Sequence, residues 1–170
     1  MSFFKKFTFI VIVLIMNSSF AYSEGQIVYL DLDNIVSKTK AGKLIISNLE
    51  KSKKSALSKF EKKEKELKKI EDDINKQKNI LSKDELKKKL IEFRKEIALF
   101  QSERQKVIND FNKKKVEEFN NFFKKITPII QNYVSDKNIE MVLDRKNVFV
   151  ASKKKDITSE IIKLIDSKIK

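Results

Sequence analysis

Residues 49–81 read LEKSKKSALSKFEKKEKELKKIEDDINKQKNIL, and this segment decides the fold. Its apolar residues return at steps that alternate between four and three. This spacing averages about 3.5 residues and is typical of the contact seam of a coiled coil. Lys and Glu fill most positions between the seam residues; they are good helix formers and would solvate the outer faces. Seven of the ten seam positions are apolar, and the ten are Leu49, Lys53, Ala56, Phe60, Lys63, Leu67, Ile70, Ile74, Gln77 and Leu81.

Two further runs continue the repeat over residues 86–133. The second run keeps the alternation, and the third is offset from it by one residue just after Phe111. Such an offset locally rewinds a coiled coil without ending it. The segment also contains no glycine, and its one proline, Pro128, lies near its end. The second run is Leu86, Leu90, Phe93, Ile97, Phe100, Arg104, Val107 and Phe111, and the third is Val116, Phe119, Phe123, Ile126, Ile130 and Tyr133.

The chain is predicted to reverse direction near Ser82. Ser82 and Glu85 stand in the relation of a capping box, and Asp84 adds negative charge where a new helix has the positive end of its dipole. A helix ending near Leu81 and another beginning at Ser82 would fold back as an antiparallel hairpin. The alternative is one uninterrupted helix, because no strong helix breaker is present. A hairpin arm of about 40 residues per helix would be on the order of 60 Å long.

The first 23 residues have the form of an export signal. Lys5 and Lys6 precede an apolar core at residues 7–16, and small residues follow at 21–23. The alternative is an uncleaved membrane anchor, but the apolar core is shorter than the roughly 20 residues that span a bilayer. Removing this segment would lower the formal charge from +14 to +12. The chain has no cysteine, which excludes disulfides and lipid attachment through a cysteine thiol.

Short β-branched and apolar runs flank the helical segment. Residues 27–32, 139–143 and 148–151 are each predicted to form a strand, and the polar residues 144–147 have a length suited to a β-hairpin. A final helix follows Asp156, with Thr158 as its predicted N-cap and a hydrophobic staple between Ile157 and Ile162.

These elements predict an α+β, predominantly α fold. A small β/α body at residues 24–42 and 134–170 would carry a coiled-coil hairpin arm at 43–133, with its tip near 79–89. Three short strands and one helix make a marginal core, so we expect the body to bury its apolar strand faces against further copies of the chain. The residues predicted to mediate this self-association are Val28, Leu30, Leu32, Ile139, Met141, Leu143, Val148 and Val150.

The order of these pieces resembles the Skp (OmpH-like) family of periplasmic chaperones. The resemblance is carried by the Ala41-Gly42-Lys43 entry into the arm, the Lys/Glu-rich hairpin, and Asp156-Ile157-Thr158 before the last helix. The chain departs from the family at Lys137-Asn138, where many relatives carry a Gly-Tyr-like turn. Such a resemblance implies an ATP-independent holdase of the Gram-negative periplasm. It also implies a homotrimer whose arms enclose unfolded outer-membrane proteins.

The second arm helix offers candidate client-binding residues. Ile91, Leu99 and Ile108 lie beside its seam and widen its apolar stripe beyond the width of one helix-helix contact. The alternative is that they pack against the partner helix as flanking core. We also predict a role in client binding for Lys87, Lys88 and Lys89 near the tip. Polar seam residues, namely Lys53, Lys63, Gln77 and Arg104, predict an arm that bends to suit its client.

The excess of lysine leaves three interpretations open. In the first the lysines only solvate helix faces; in the second they attract acidic clients or an anionic membrane surface; in the third they hold nucleic acid without sequence specificity. An exported protein would rarely meet nucleic acid, so no specific nucleic-acid partner is expected.

Enzymatic activity is not expected, and no cofactor or metal is predicted. The chain lacks His and Cys, and with Gly25 and Gly42 as its only glycines it has no phosphate-binding loop. The alternative to a chaperone is an exported coiled-coil spacer or adaptor of the cell envelope.

Overall fold

The computed structural model describes residues 25–169, so the export signal predicted for residues 1–23 lies outside the described residues. No helix within 25–169 is long and apolar enough to cross a membrane. The predominantly helical α+β fold predicted from the sequence is confirmed. Its elements are β1 (Gln26–Leu30), α1 (Leu32–Lys38), α2 (Lys40–Gln77), α3 (Lys83–Asp136), β2 (Ile139–Asp144), the short 3-10 helices η1 (Arg145–Asn147) and η2 (Lys153–Lys155), and α4 (Thr158–Lys168).

The long helices α2 and α3 form the predicted antiparallel hairpin. Ser82 caps α3, because its Oγ accepts a hydrogen bond from the Glu85 N–H at 3.3 Å. In return, Glu85 Oε2 accepts from the Ser82 N–H at 3.1 Å. The Ser82 hydroxyl, followed by its backbone N–H, holds the pKa of the Glu85 carboxyl below its ordinary value. At 38 residues, α2 is about 57 Å long.

The heptad seam predicted from the sequence is the surface along which α2 and α3 meet. Leu49, Leu67, Ile74 and Phe100 are buried there, and the rings of Phe60 and Phe100 meet edge to face with their centroids 6.1 Å apart. Two of the polar seam positions, Lys53 and Arg104, are exposed instead. The offset near Phe111 does not interrupt α3, as expected for a local change in supercoil winding.

The hairpin returns the chain to the body, where β2 pairs with β1 in parallel. Val28 lies opposite Val142 in the register, and Ile27 lies opposite Met141. The far edge of β1 is covered, because its Tyr29 carbonyl accepts a hydrogen bond from the Ile157 N–H at 3.0 Å. One face of this pair packs on three helices and the segment before α4 to form the core, whose buried residues are Val28, Leu30, Ile35, Phe122, Ile126, Ile129, Ile157, Ile161 and Ile165.

The prediction of a third strand at residues 148–151 is wrong, because these residues form no strand in the structure. β2 ends at Asp144, whose Oδ1 accepts from the Lys146 N–H at 3.1 Å and starts the turn η1. Lys146 Nζ is then 2.9 Å from a carboxylate oxygen of Asp33. Because this turn directs the chain away from β2, residues 148–151 do not fold back as the second strand of a hairpin.

Two local predictions also differ from the structure. Asp31 Oδ1 accepts from the Asn34 N–H at 2.9 Å and caps α1, so Leu32 begins a helix and does not continue β1. Thr158 is not the N-cap of α4 but its first helical residue. The N-cap is Ile157, and the side chain of Asp156 just before it accepts from the Thr158 N–H at 2.9 Å.

Candidate functional site

The three apolar residues predicted to bind client on the arm are all exposed. Ile91 is 55% exposed, Leu99 60% and Ile108 41%, although all three lie on the helix that pairs with α2. Each of the three thus remains at least two-fifths exposed in the single chain. The arm therefore carries apolar side chains that its own two helices bury only in part.

These three residues do not share one stripe. At about 3.5 residues per turn, Ile91 and Ile108 are separated by roughly 50° around α3, whereas Leu99 lies roughly 150° from Ile108. Ile108 and Leu57 both flank the seam, and Leu57 is also about half exposed. Apolar contact sites are thus distributed over both flanks of the arm. Such an arrangement suits many weak contacts better than a single shaped pocket.

The lysines near the tip differ in their surroundings. Lys89 Nζ donates a hydrogen bond to Gln77 Oε1 at 2.8 Å and so joins the ends of α2 and α3. Lys87 and Lys88 are exposed and make no ion pair with any described residue. Between the helices, Ile80 is 84% exposed. The tip therefore combines uncompensated positive charge with one exposed apolar side chain.

Ion pairs across the hairpin hold its two helices in register. Lys63 Nζ lies 3.1 Å from Glu96 Oε2, and the hydrogen bond to Glu96 raises the pKa of Lys63. Arg104 Nη1 lies 3.3 Å from Glu64 Oε1. These pairs are at least a third exposed, so we expect each to contribute little to stability.

The body residues predicted to mediate self-association fall into two groups. Val28 and Leu30 are each only 4% exposed and belong to the chain's own core, and Leu32 and Ile139 pack against that core. These four residues hold the body together and present little surface to a partner. The other four, Met141, Leu143, Val148 and Val150, are partly or largely accessible, with Met141 50% and Val150 81% exposed.

Sequence reasoning missed the most exposed apolar residue of the body. The Phe149 side chain is completely exposed, and Ile27, opposite Met141 in the register, is 51% exposed. In a strand, alternate residues share a face, so the prediction took Val148 and Val150 and left out Phe149, which lies between them. The apolar character of the whole 148–151 run was the signal that could have identified it.

The open edge of the two-stranded sheet belongs to β2. Within residues 25–169 this strand pairs only with β1, so the backbone donors and acceptors along its other edge have no strand partner. Open edges of this kind are templates for pairing with another chain. The described residues contain no cluster of acidic side chains that could hold a metal ion.

Comparison with known proteins identifies a family and similar solved structures. The family model described as "Outer membrane protein (OmpH-like)" matches residues 26–165. The fold is also similar to the crystal structure of a candidate OmpH-like outer membrane chaperone from Caulobacter crescentus CB15, with a TM-score of 0.78 and 15% sequence identity. This match covers 85% of the present chain and 86% of the other. A comparison with curated proteins finds none that matches.

Proposed function

Because the chain belongs to the OmpH-like family, a family of periplasmic chaperones and not of enzymes, we propose that it is an ATP-independent holdase. In this proposal it binds unfolded outer-membrane proteins between its arms, prevents their aggregation and escorts them across the periplasm. Residues 1–23 are its cleaved export signal. The alternative of a passive envelope spacer is not favoured by the family assignment.

The observation that carries this proposal is the distribution of exposed apolar residues along the arm. Ile91, Leu99 and Ile108 project from an arm about 57 Å long whose remaining surface is dominated by Lys and Glu. Each exposed side chain offers a small apolar contact, and contacts on both flanks can act on different segments of one unfolded client. Such contacts require no nucleotide.

We propose that three copies assemble through the body. The support is the open edge of β2 together with the exposed Phe149 and Val150. Pairing residues 148–151 of one copy with the sheet of another would satisfy the open edge and cover these side chains. The number three comes from the resemblance to the Skp family.

Positive charge at the tip supports a further partner, an anionic membrane surface. Lys87 and Lys88 are uncompensated, and each lysine near such a surface contributes about 1 kcal/mol of attraction. This contact would place a loaded arm beside the membrane that receives the client.

The test of the holdase is dilution of a urea-denatured outer-membrane β-barrel into buffer without nucleotide. The purified protein should suppress light scattering at a stoichiometric ratio of oligomer to client. A denatured soluble enzyme of similar size serves as the comparison client. If scattering of the barrel is unchanged by the protein, the holdase proposal fails.

A further inference from the structure

The coiled-coil seam is open at one level of the arm. On α2 this level has Lys53, which is exposed, and Ala56, which has the smallest side chain of the seam. On the facing helix Arg104 leaves the seam, with its guanidinium carbon 5.7 Å from the centroid of the Phe60 ring and its Nη1 bonded to Glu64. None of these three seam side chains fills the space between the helices.

The result is a groove of about 620 Å³ between α2 and α3. Its apolar lining comes from Ala56, Phe60, Phe100 and Val107. The volume falls within the range of about 300–1,000 Å³ that is usual for ligand pockets. Phe60 and Phe100 pack edge to face, and both rings also line the groove. A further aromatic side chain can pack on this ring surface, because aromatic rings favour edge-to-face and offset contacts.

Charge at the rim narrows the choice of occupant. Lys51 and Lys59 line the groove and make no ion pair with any described residue, whereas Lys63 is already paired with Glu96. Glu103 is the one acidic residue of the lining. Two unpaired lysines against one glutamate favour a segment that carries negative charge beside its apolar side chain.

Leu99 extends the apolar surface at the rim. It lies four residues before Glu103 and therefore on the same face of α3, and its side chain is 60% exposed. The groove and Leu99 thus lie on the flank opposite to Ile108. A chain that entered the groove could continue over Leu99 toward the tip.

We propose that this groove binds an extended client segment in which an aromatic residue is flanked by Asp or Glu. The aromatic ring enters the groove and packs on the ring surface that Phe60 and Phe100 present to it, and the carboxylates pair with Lys51 and Lys59. This inference rests on the proposed holdase function and adds the class of client sequence that one site on the arm selects.

Fluorescence anisotropy with the full-length mature protein tests the proposal. The probe is a labelled extended peptide in which Phe alternates with Asp, and two matched peptides replace Asp by Lys or Phe by Ala. We expect the acidic aromatic probe to bind at least tenfold more tightly than either matched peptide at low salt. Its advantage over the Lys peptide should shrink as salt screens the rim.

Filling the groove should abolish this selectivity. Ala56→Leu places a large seam residue in the gap and should weaken probe binding about tenfold without lowering the urea midpoint. Ala98→Leu is the matched control, because Ala98 is an exposed residue of α3 outside the seam. It should bind as the wild type does. Lys51→Gln with Lys59→Gln should weaken binding and remove most of its salt dependence.

Several outcomes would contradict the proposal that the groove binds this client segment. These are equal binding of the three peptides, wild-type affinity in Ala56→Leu, or a change in oligomer mass in that variant, which would show another copy in the groove. If Ala56→Leu unfolds more easily, the same binding measurement is made with Ser55→Leu instead. Ser55 also lines the groove, so a leucine there should narrow it. Barrel aggregation is measured in parallel: if wild type suppresses it while the peptide tests fail, only the groove is wrong.

Discussion

Thr39 is the residue at which the arm joins the body. Its side chain is completely buried; Oγ1 donates to the Ile35 carbonyl at 2.8 Å and accepts from the Gly42 N–H at 3.2 Å. It thereby ends α1 and caps α2. Gly42 lies against this junction, since a Cβ there would be 1.9 Å from the Val36 carbonyl oxygen. From α4, Asp166 Oδ1 accepts from the Lys40 N–H at 2.8 Å and adds a contact between arm and body.

Replacing Thr39 by valine should destabilise the protein by about 1–2 kcal/mol, because the isosteric side chain loses both the cap and a buried hydrogen bond. The measurement is the urea unfolding midpoint at a fixed protein concentration. Thr127→Val is the matched control: its hydroxyl also bonds a helix carbonyl, that of Phe123, but is exposed. The control should change stability by no more than about 0.5 kcal/mol. Equal losses in both variants would contradict the assigned role of Thr39.

Asn138 explains how the chain turns at Lys137-Asn138, where it departs from the family pattern. It is the one non-glycine residue within 25–169 with a positive φ, of 51°. Asn tolerates this left-handed conformation better than most residues do. The chain therefore makes the turn into β2 without the glycine that many relatives carry there.

At the scale of elements, the capping box decides where α3 begins. Ser82 and Glu85 bond each other reciprocally, and these hydrogen bonds lower the pKa of the Glu85 carboxyl. A carboxyl whose pKa is lowered on folding contributes stability that is complete above its unfolded pKa of about 4.3. That contribution is lost as the pH falls through the folded value. Fraying of the tip should therefore increase only in acid, below about pH 4.

Ser82→Ala should raise the pKa of Glu85 toward its ordinary value, because its largest lowering contribution is the bond to the Ser82 hydroxyl. An NMR titration of the Glu85 side-chain carboxyl measures this change. Amide exchange at the first turn of α3 should become faster at neutral pH, while exchange at Leu67 should stay the same. Ser102→Ala, in the exposed middle of α3, is the control and should alter neither quantity. An unchanged Glu85 pKa in Ser82→Ala would contradict the capping box.

The exposed residues of α3 permit function to be separated from stability. Replacing Ile91, Leu99 and Ile108 with serine should raise the concentration needed for half-suppression of barrel aggregation about fivefold or more, since each apolar contact contributes about 1 kcal/mol or less. The urea midpoint should hardly move. Leu67→Ser is the contrasting control, because Leu67 is only 8% exposed and its loss should cost roughly 2–5 kcal/mol. Similar unfolding losses in both variants would show that the three residues are core.

At the scale of the whole molecule, the body leaves apolar surface that the single chain does not bury. Its sheet has two strands and an open edge; Ile27 and Met141 are exposed on the strands, and Phe149 and Val150 are exposed in the segment after β2. The core on the other face is nevertheless well formed, since Ile35, Ile161 and Ile165 are completely buried. The body is thus a folded unit that leaves several large apolar side chains exposed, and this exposure supports the proposed assembly through the body.

If the body assembles as proposed, replacing Phe149 and Val150 with aspartate should leave monomers, because charge would be buried in the interface. Sedimentation equilibrium measures the mass of the wild type and the variant. Ile80→Asp is the matched control, since it makes the same kind of change at the tip of the arm, where the side chain is 84% exposed. It should keep the wild-type mass. A wild-type mass in the body variant would exclude this surface from assembly.

What the sequence by itself determined is the arm. The alternation of four and three identified the seam, and the S-x-x-E pattern at Ser82 placed the reversal. Both signals act between residues a few positions apart, so a local pattern is sufficient to locate them. The same locality explains why the polar seam positions Lys53 and Arg104 could be recognised from the sequence, whereas the groove between the helices could not.

Only the tertiary structure decided the arrangement of the body. Residues 148–151 have strand composition, yet a strand needs a backbone partner, and the turn at Asp144 keeps β2 from serving as one in the same chain. Likewise, Val28 and Met141 both belong to apolar strands, but packing against α1, α3 and α4 buries the first and leaves the second exposed. Burial depends on contacts between residues more than 100 positions apart, and these contacts have no signature in a single stretch of sequence.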